Sequence, residues 1–366
     1  MYFILFILLL YVILIFSYRI GWEKLSHYKE VQYTPFVSIV IAMRNEEKNV
    51  KRLLKEIINQ EYSKEKYEII IVDDHSTDDT LVLLNEFKSP ILRVLSLGDN
   101  DSGKKKAINK AISLSKGKII ITTDADCSVK PYWIKKLAAC FVNKEIRLVA
   151  GPVDFHKTNN TFCNLQSLEF SSLIGSSAGA IGINKAILCN GANLAFRKDI
   201  FLHRDNISNN KIASGDDVFL LHSLKKLFKK SIFFIKDKDV IVTTNACITL
   251  KQFINQRKRW AAKSTRYTDL DTVIVSYIIL LTNFTLVSLL VITIFNLDFF
   301  VLFLFFYLVK FFVDSLILYP VLHFFSRKDL VKWIFPFGIL YSFYIIFIVV
   351  NSFSTSFTWK ERTHIK

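Results

Sequence analysis

The chain has 366 residues, a formal net charge of +16 and hydrophobic residues at 51% of its positions. The hydrophobic residues are concentrated in four runs with almost no charge, at residues 3–17, 273–297, 299–325 and 334–354. This clustering excludes a purely soluble protein and a disordered one, because ordinary soluble domains spread their charged residues throughout. Residues 19–270 are polar enough for one large globular domain, which excludes a membrane carrier that fills the chain.

Nearly all of the excess positive charge lies within residues 19–270. The positive-inside bias predicts that this region faces the cytoplasm, beside anionic lipid. Attraction of an anionic nucleotide substrate is a second interpretation. We expect no nucleic-acid partner, because no DNA- or RNA-binding motif accompanies the charge. The five cysteines show no CxxC motif or paired histidine, a pattern typical of a reduced compartment rather than a disulfide framework or a zinc site.

The apolar runs predict a multi-pass protein of the cell (inner or plasma) membrane. Residues 1–18 lack a basic n-region and a cleavage site, so they predict an uncleaved transmembrane helix. Residues 271–356 predict about three further helices, and residues 357–366 a tail. Lys310 and Asp314 are four residues apart, which predicts an ion pair inside a helix bundle. Because the tail is basic, the side of the C-terminus stays open, and one segment could be re-entrant or interfacial.

The middle of the chain has the pattern of an α/β domain. Continuous β-branched runs predict buried parallel strands at residues 37–42 and 69–72, and further strands are predicted at residues 91–95 and 119–122. Helical spacing is found between and after them, at residues 46–60, 104–115 and 131–142. This alternation predicts a doubly wound sheet, which binds ligands at the carboxyl ends of its strands.

Two acidic clusters directly follow predicted strands. Asp73 and Asp74 begin the first, where carboxylates can accept hydrogen bonds from a base imide or a ribose hydroxyl; the alternative is a helix cap by Ser76 or Asp78. Asp124 and Asp126 form the second. Two carboxylates at this spacing in a loop can reach one hard divalent cation, although turns often contain the same pattern.

Two further clusters have both a chemical and a structural interpretation. One of the adjacent carboxylates of Asp216 and Asp217 could act as a general base, and the alternative is a cap for a helix over 218–227. The segment Gln256–Trp260 precedes an apolar run, as an interfacial helix with a belt tryptophan would. Its functional interpretation places Arg259 on a leaving diphosphate and Trp260 under a sugar ring.

The order and spacing of the four clusters, with a membrane flank, are more specific than any one of them. The chain resembles the membrane-bound, polysaccharide-synthase-like branch of the family 2 inverting glycosyltransferases, which includes cellulose, hyaluronan and poly-N-acetylglucosamine synthases and ceramide glucosyltransferase. The matching segments lie between Pro35 and Trp260: VSIVIAMRNEE, IIIVDDHSTDDT, GKKKAIN, TTDADC, NGANLAFRK, SGDD and QRKRW. The resemblance implies a GT-A, Rossmann-like nucleotide-sugar-binding domain at residues 19–270, flanked by transmembrane helices.

The resemblance also implies roles for individual residues. Asp217 would be the catalytic base. The donor would be bound by Asn45, Glu46, Asp73, Asp74, Lys104, Lys105, Asp124 and Arg259. The acceptor would be bound by Asp216, Gln256 and Trp260. Asp124 and Asp126 would hold Mg²⁺ or Mn²⁺, with Asp124 also on the ribose side.

We therefore predict transfer of a hexose or N-acetylhexosamine from a nucleotide sugar, UDP-linked by the resemblance, to a saccharide or lipid acceptor at the membrane. Extension of a polysaccharide and a single transfer to a lipid both stay open. The alternatives from other classes are a non-catalytic nucleotide-sugar-binding membrane protein and a nucleotidyltransferase. The segment 163–185 mixes apolar and small residues and fits either an interfacial helix near the acceptor entrance or a core helix of the catalytic domain.

Overall fold

A computed structural model describes residues 1–25, 31–202, 216–264, 266–352, 356–359 and 362–365. The chain divides into two compact units. The first comprises Met1–Lys24, Lys157–Ile187 and Ala246–Lys366, and the second comprises Leu25–His156 and Leu188–Asn245. A segment from the middle of the chain thus belongs to the same unit as the apolar helices, which we did not predict. The predicted domain boundaries stay predictions.

The helices, in chain order, are α1 (Tyr2–Lys24), α2 (Glu47–Ile58), α3 (Thr80–Glu86), α4 (Lys104–Ser113), α5 (Trp133–Ala139), α6 (Thr161–Gly182), α7 (Lys198–Leu202), α8 (Asp216–Leu227), α9 (Leu250–Ser264), α10 (Leu270–Phe295), α11 (Phe300–Phe324) and α12 (Ile334–Ser352). The strands are β1 (Val37–Met43), β2 (Tyr67–Asp73), β3 (Leu92–Ser96), β4 (Ile119–Thr122), β5 (Leu148–Ala150), β6 (Val153–Phe155), β7 (Leu194–Arg197), β8 (Ile232–Phe234), β9 (Val242–Thr244), β10 (Ser356–Trp359) and β11 (Arg362–Ile365). The four predicted strands and three predicted helices of the α/β region are confirmed.

The second unit is built on a seven-stranded sheet in the order β3-β2-β1-β4-β7-β5-β8. The first four strands of the chain are parallel, and β7 runs antiparallel to both of its neighbours. Every residue of β2 and β4 is buried, because their continuous isoleucine and valine runs are covered on both faces of the sheet. A separate parallel pair joins β6 to β9. The predicted α/β fold class is confirmed.

The topology of this sheet predicts where a ligand binds. β2 lies on one side of β1 and β4 lies on the other, so the order of the strands reverses at β1. In open α/β sheets, ligands occupy the crevice outside the carboxyl ends of the strands at such a reversal. β1 ends at Met43, β2 at Asp73 and β4 at Thr122, immediately before three of the predicted polar segments.

The first unit contains the apolar helices. Within the described residues, four helices are long and apolar enough to cross a membrane: Tyr2–Lys24, Leu270–Phe295, Leu297–Phe324 and Lys328–Asn351. They coincide with the four apolar runs and fit the predicted transmembrane helices. The predicted ion pair in α11 is confirmed, since Lys310 Nζ lies 2.5 Å from Asp314 Oδ2. The hydroxyl of Tyr11 also donates to Asp314, so this partly buried carboxylate has two partners.

Helix α6 belongs to the unit of the apolar helices, where it packs against α1 and α11. The interpretation of this segment as a core helix of the α/β domain is therefore wrong. The physical reason is its row of glycines, which lets α1 approach closely. A Cβ added at Gly179 would collide with the backbone oxygen of Tyr18, and one added at Gly182 would collide with the backbone oxygen of Gly21.

This close approach predicts that Gly179→Ala destabilises the protein. The added methyl meets backbone that cannot move away as a flexible side chain does, so α1 and α6 must separate. We expect a loss of about 1–3 kcal/mol, the usual cost of overpacking. The thermal midpoint of the detergent-solubilised protein measures it. Gly98→Ala is the matched control, because a Cβ there has no neighbour within 4 Å; equal midpoints for the two variants would contradict the prediction.

Candidate active site

The chain turns sharply where β1 and β2 end. Asn45 and His75 adopt positive φ angles of 51° and 54°, a left-handed conformation that asparagine and histidine tolerate better than most residues. The backbone N–H of Asp74 donates to the carbonyl of Met43 at 2.8 Å, which ties the two strand ends together. The polar segments that follow the two strands are thereby held at one edge of the sheet.

The carboxylates of Asp73 and Asp74 are both buried. Asp73 accepts hydrogen bonds from the backbone N–H of Ser76, at 3.1 Å, and from the hydroxyl of Ser76. Asp74 accepts from the backbone N–H of Gly103 at 3.0 Å. Gly103 has a φ of 98°, where a side chain would be strained, so this turn at the start of α4 suits glycine. Asp74 thus links the end of β2 to the start of α4.

Asn45 and Glu46 join the end of β1 to the loop after β2. The side-chain oxygen of Asn45 accepts from the backbone N–H of Thr77 at 2.9 Å. The backbone N–H of Glu46 donates to the hydroxyl of Thr80 at 2.7 Å. The Glu46 carboxylate accepts from Asn49 at 2.7 Å. The structure therefore brings both residues to the edge where Asp73 and Asp74 lie.

The loop after β4 carries Asp124 and Asp126. Lys104, in the first turn of α4, forms an ion pair with Asp124, and Lys105 follows it in the same turn. Asp126 accepts a hydrogen bond from the hydroxyl of Thr244 at 3.0 Å. Burial raises the pKa of the Asp126 carboxyl, and the negative charges of Asp124 and Glu46 raise it further. A cation would relieve this repulsion between carboxylates.

The donor set of this loop fits a divalent cation that is shared with a substrate. In the described part of the chain, no group of three or more His, Cys, Asp or Glu side chains could hold a metal alone. Mg²⁺ is commonly bound by one or two carboxylates, with phosphate oxygens and water as the other ligands. Asp124 and Asp126 supply such a pair.

Arg52 of α2 fixes the backbone of the same loop, and our sequence analysis missed it. Its guanidinium donates to the carbonyl of Asp126 at 3.0 Å, to the carbonyl of Cys127 at 3.1 Å and to the hydroxyl of Ser128. Nothing in the sequence marks this arginine among the charged residues of α2. Thr244, at the end of β9, was also missed, because no sequence pattern distinguishes it from other threonines.

Asp217 lies in the first turn of α8, which begins at Asp216 rather than after Asp217. Its carboxylate accepts from the backbone N–H groups of Gly191 and Val218, each at 2.9 Å. The carbonyl of Gly191 in turn accepts from the hydroxyl of Thr122 at 2.7 Å. Two hydrogen bonds therefore connect Asp217 to the end of β4. The side chain of Asp216 lies outside the described residues.

Asn193, in the segment NGANLAFRK, is fully buried and connects several loops of the second unit through hydrogen bonds. Its side-chain oxygen accepts from the indole N–H of Trp133 at 2.9 Å. Its amide nitrogen donates to the carbonyls of Pro152 and Val240, each at 2.8 Å. Asn193 thus holds the segment that leads from Gly191 into β7, and no pattern in the sequence assigned it this role.

Gln256, Arg259 and Trp260 lie on α9, in the first unit, and all three are partly buried. The most buried residue of this segment is Arg257, whose side chain is 3% exposed and forms an ion pair with Glu169 of α6. The guanidinium of Arg257 also donates to the side-chain oxygen of Gln256. Neither Arg257 nor Glu169 was among the predicted site residues.

Comparison with known protein families identifies the α/β region. Residues 38–204 match the model of a family described as "Glycosyl transferase family 2". This part of the chain is similar to family 2 glycosyltransferase domains. The match begins in β1 and ends just after α7, so it includes Asp73, Asp74, Asp124 and Asp126 and excludes Asp217. The match supports the predicted family for this part of the chain, and its polysaccharide-synthase branch stays a prediction.

Individual relatives are similar to this chain over part of their own length. "Glycosyltransferase AglE" of Haloferax volcanii is 29% identical over 192 residues, which are 50% of this chain and 59% of that protein. "Beta-monoglucosyldiacylglycerol synthase" of Nostoc sp. is 37% identical over 128 residues, which are 34% of this chain and 27% of that protein. The chain thus matches less than two thirds of either relative.

Among solved structures, a mannosyltransferase from Pyrobaculum calidifontis, in complex with GDP-Man and Mn²⁺, aligns with 96% of this chain and 96% of its own. The TM-score is 0.60 and the sequence identity 17%. The likeness is one of fold, and it confirms that the predicted fold is GT-A-like.

Proposed function

We propose that this protein transfers a sugar from a nucleotide-sugar donor to an acceptor at a membrane, with inversion of the anomeric carbon. The observation that carries the proposal is the polar edge of the sheet around the reversal at β1. There Asp74 accepts a hydrogen bond from the start of α4, and Lys104 of that helix forms an ion pair with Asp124, which follows β4. Acidic groups that follow the ends of three strands, together with a lysine of α4, therefore lie at the edge of the sheet where such folds bind ligands.

In this proposal the donor is bound by groups of the second unit. Asp73 and Asp74 accept hydrogen bonds from the base and ribose, with Asn45 and Glu46 beside them. Lys104 and Lys105 neutralise the diphosphate. When the donor binds, Lys104 exchanges the Asp124 carboxylate for a phosphate oxygen. A bound Mg²⁺ or Mn²⁺ on Asp124 and Asp126 supplies charge stabilisation for the departing diphosphate.

Asp217 is the proposed general base. It takes the proton of the acceptor hydroxyl while the acceptor oxygen bonds to the anomeric carbon and the bond from that carbon to the diphosphate breaks. Because the displacement occurs in one step, an α-linked donor gives a β-glycoside. The two backbone N–H groups that donate to its carboxylate hold Asp217 in place.

The apolar helices support an acceptor that stays at the membrane, either a lipid or a growing polysaccharide. Similarity to the beta-monoglucosyldiacylglycerol synthase of Nostoc sp. favours the lipid, and the Gln256–Trp260 segment favours the polysaccharide. We further propose that the α/β unit faces the cytoplasm of a multi-pass protein, because basic residues closely follow the first apolar run, residues 3–17. Arg259 is the proposed contact to the diphosphate, and Asp216, Gln256 and Trp260 are the proposed contacts to the acceptor.

Transfer from radiolabelled nucleotide sugars tests this function directly. Purified membranes with the protein are supplied with UDP-glucose, UDP-N-acetylglucosamine or GDP-mannose, and the labelled product is extracted and sized. A labelled lipid of one sugar indicates single transfer, and a long polymer indicates a synthase. Absence of transfer from every donor, at confirmed protein abundance, would contradict the proposal.

Loss of the metal carboxylate is expected to weaken the donor site. Asp126→Asn keeps the hydrogen bond from Thr244 and removes the charge that a divalent cation needs. We expect about a hundredfold loss of transfer or more, comparable to removing one stabiliser of a departing charge. Excess chelator should inactivate the native protein, and Mn²⁺ or Mg²⁺ should restore it. Asp101→Asn, at an exposed ion pair with Lys106, is the control; undiminished transfer in excess chelator would exclude the metal.

A further inference from the structure

Helix α6 makes polar contacts with the chain at two points, one just before α9 and one within α9. The side-chain amide of Gln166 makes two hydrogen bonds to the backbone of Cys247, donating to its carbonyl at 2.8 Å and accepting from its N–H at 3.0 Å. Glu169 follows three residues later and pairs with Arg257 of α9. Residues three apart on a helix lie on the same face, so one face of α6 holds both points.

The ion pair of Glu169 and Arg257 is buried, and both oxygens of the Glu169 carboxylate accept hydrogen bonds. The Nε of Arg257 lies 3.0 Å from both carboxylate oxygens of Glu169, and its Nη2 donates to one of them. The hydroxyl of Tyr344, from α12, donates to the same carboxylate at 2.9 Å. Three helices therefore meet at one carboxylate.

Arg257 contacts both residues of this segment that we assign to the acceptor. Its guanidinium donates to Gln256 and lies 4.2 Å from the centre of the Trp260 ring, with the ring of Phe253 at 4.6 Å. Phe170, next to Glu169 on α6, has its ring centre 6.0 Å from that of Trp260. The indole of Trp260 is thus held by a cation that Glu169 itself orients.

We propose that Glu169 is a positioning residue that sets, through Arg257, the orientation in which Trp260 and Gln256 receive a saccharide ring of the acceptor. This inference rests on the proposed function. Stability alone does not require the pair, because a buried ion pair can often be replaced by hydrophobic residues without loss. A two-pronged arginine–carboxylate pair provides a fixed direction for the guanidinium, which apolar packing does not provide.

Glu169→Gln tests the proposal, because it keeps the shape of the side chain and removes its charge. We expect the KM for the acceptor to rise and transfer to fall by about a hundredfold, as a small misplacement of a binding group can cause. Hydrolysis of the nucleotide sugar, in which water replaces the acceptor, should keep its rate within about twofold of the native rate. The acceptors supplied are a glucosyl lipid in phosphatidylglycerol vesicles and β-linked glucose oligosaccharides, each of which presents a sugar ring. Lys185→Met, which breaks a partly exposed ion pair with Asp271 in the same unit, is the control.

Two further variants separate positioning from a general loss of structure. Tyr344→Phe removes only one hydrogen bond of Glu169, so it folds readily, and it should raise the acceptor KM in the same direction by a smaller factor. In a variant that already carries Trp260→Ala, Glu169→Gln should have little additional effect on the acceptor KM, because the indole that Glu169 orients through Arg257 is absent. An unchanged acceptor KM in both Glu169→Gln and Tyr344→Phe, or additive effects with Trp260→Ala, would overturn the inference. A native protein without transfer from any donor would instead overturn the proposed function.

Discussion

Asp217→Asn is expected to abolish sugar transfer while leaving donor binding nearly intact. An asparagine can still accept one of the two backbone hydrogen bonds that the carboxylate accepts, from Gly191 or from Val218, so α8 should keep its start. It cannot take a proton from the acceptor hydroxyl. Loss of a positioned general base typically costs about 10²–10⁴ in rate. The loss should appear in kcat, because the missing interaction belongs to the transition state.

The measurement is turnover at matched membrane abundance, together with the dissociation constant of the donor nucleotide. Asp199→Asn provides the control, because Asp199 lies in the same unit, forms an exposed ion pair 3.7 Å from Arg147, and accepts a hydrogen bond from the backbone N–H of Ile200, which asparagine can also accept. If Asp217→Asn kept turnover within a few-fold of the native protein, the base would have to be another residue.

Arg259→Lys is expected to reduce transfer by about a hundred- to a thousandfold, the effect of removing one group that stabilises developing charge. Lysine retains the charge but lacks the planar fork that matches phosphate oxygens in a bidentate manner. If this segment were only an interfacial anchor, the same change would be mild, since lysine reaches the membrane surface as well as arginine does. The two interpretations therefore predict very different kinetics.

Arg257→Lys is the contrast that the structure offers. Arg257 is buried against Glu169, so its replacement should lower the thermal midpoint, whereas the partly buried Arg259 should tolerate lysine without unfolding. The KM and kcat for the donor nucleotide, measured with both variants, distinguish the two arginines. Trp260→Phe should give a smaller defect, on the acceptor side. Normal donor kinetics in Arg259→Lys would leave the anchor interpretation standing.

Local sequence patterns were sufficient to predict the strands and helices around the edge of the sheet where we propose that the donor binds. β1 and β2 are buried on both faces, so their apolar runs are continuous, and α2 buries Val50, Leu53, Leu54 and Ile57 on one face. Helix α6 could not be placed in this way, because its many small residues define no single apolar face. Its assignment to the apolar helices depends on contacts with α1, which is far away in the sequence.

The same distinction applies to the candidate site. Carboxylates that directly follow a strand, such as Asp74 and Asp124, could be predicted because parallel strands present their carboxyl ends at one edge. Arg52 could not, because it acts on backbone carbonyls of a loop more than 70 residues later. The pairing of Glu169 with Arg257 joins two helices that are 88 residues apart in the chain. No local periodicity carries such information.

The division of the first unit among three stretches of chain has a consequence for biosynthesis. Gly21 of α1 meets its partner Gly179 of α6 only after about 160 further residues have been made. At roughly 5–20 residues per second, α1 waits about 8–30 s for that partner. The second unit, whose chain is complete at Asn245, is synthesised before α10, α11 and α12 exist. We therefore expect the α/β unit to fold first during translation, with α1 already at the membrane, and the helices to assemble around α6 last.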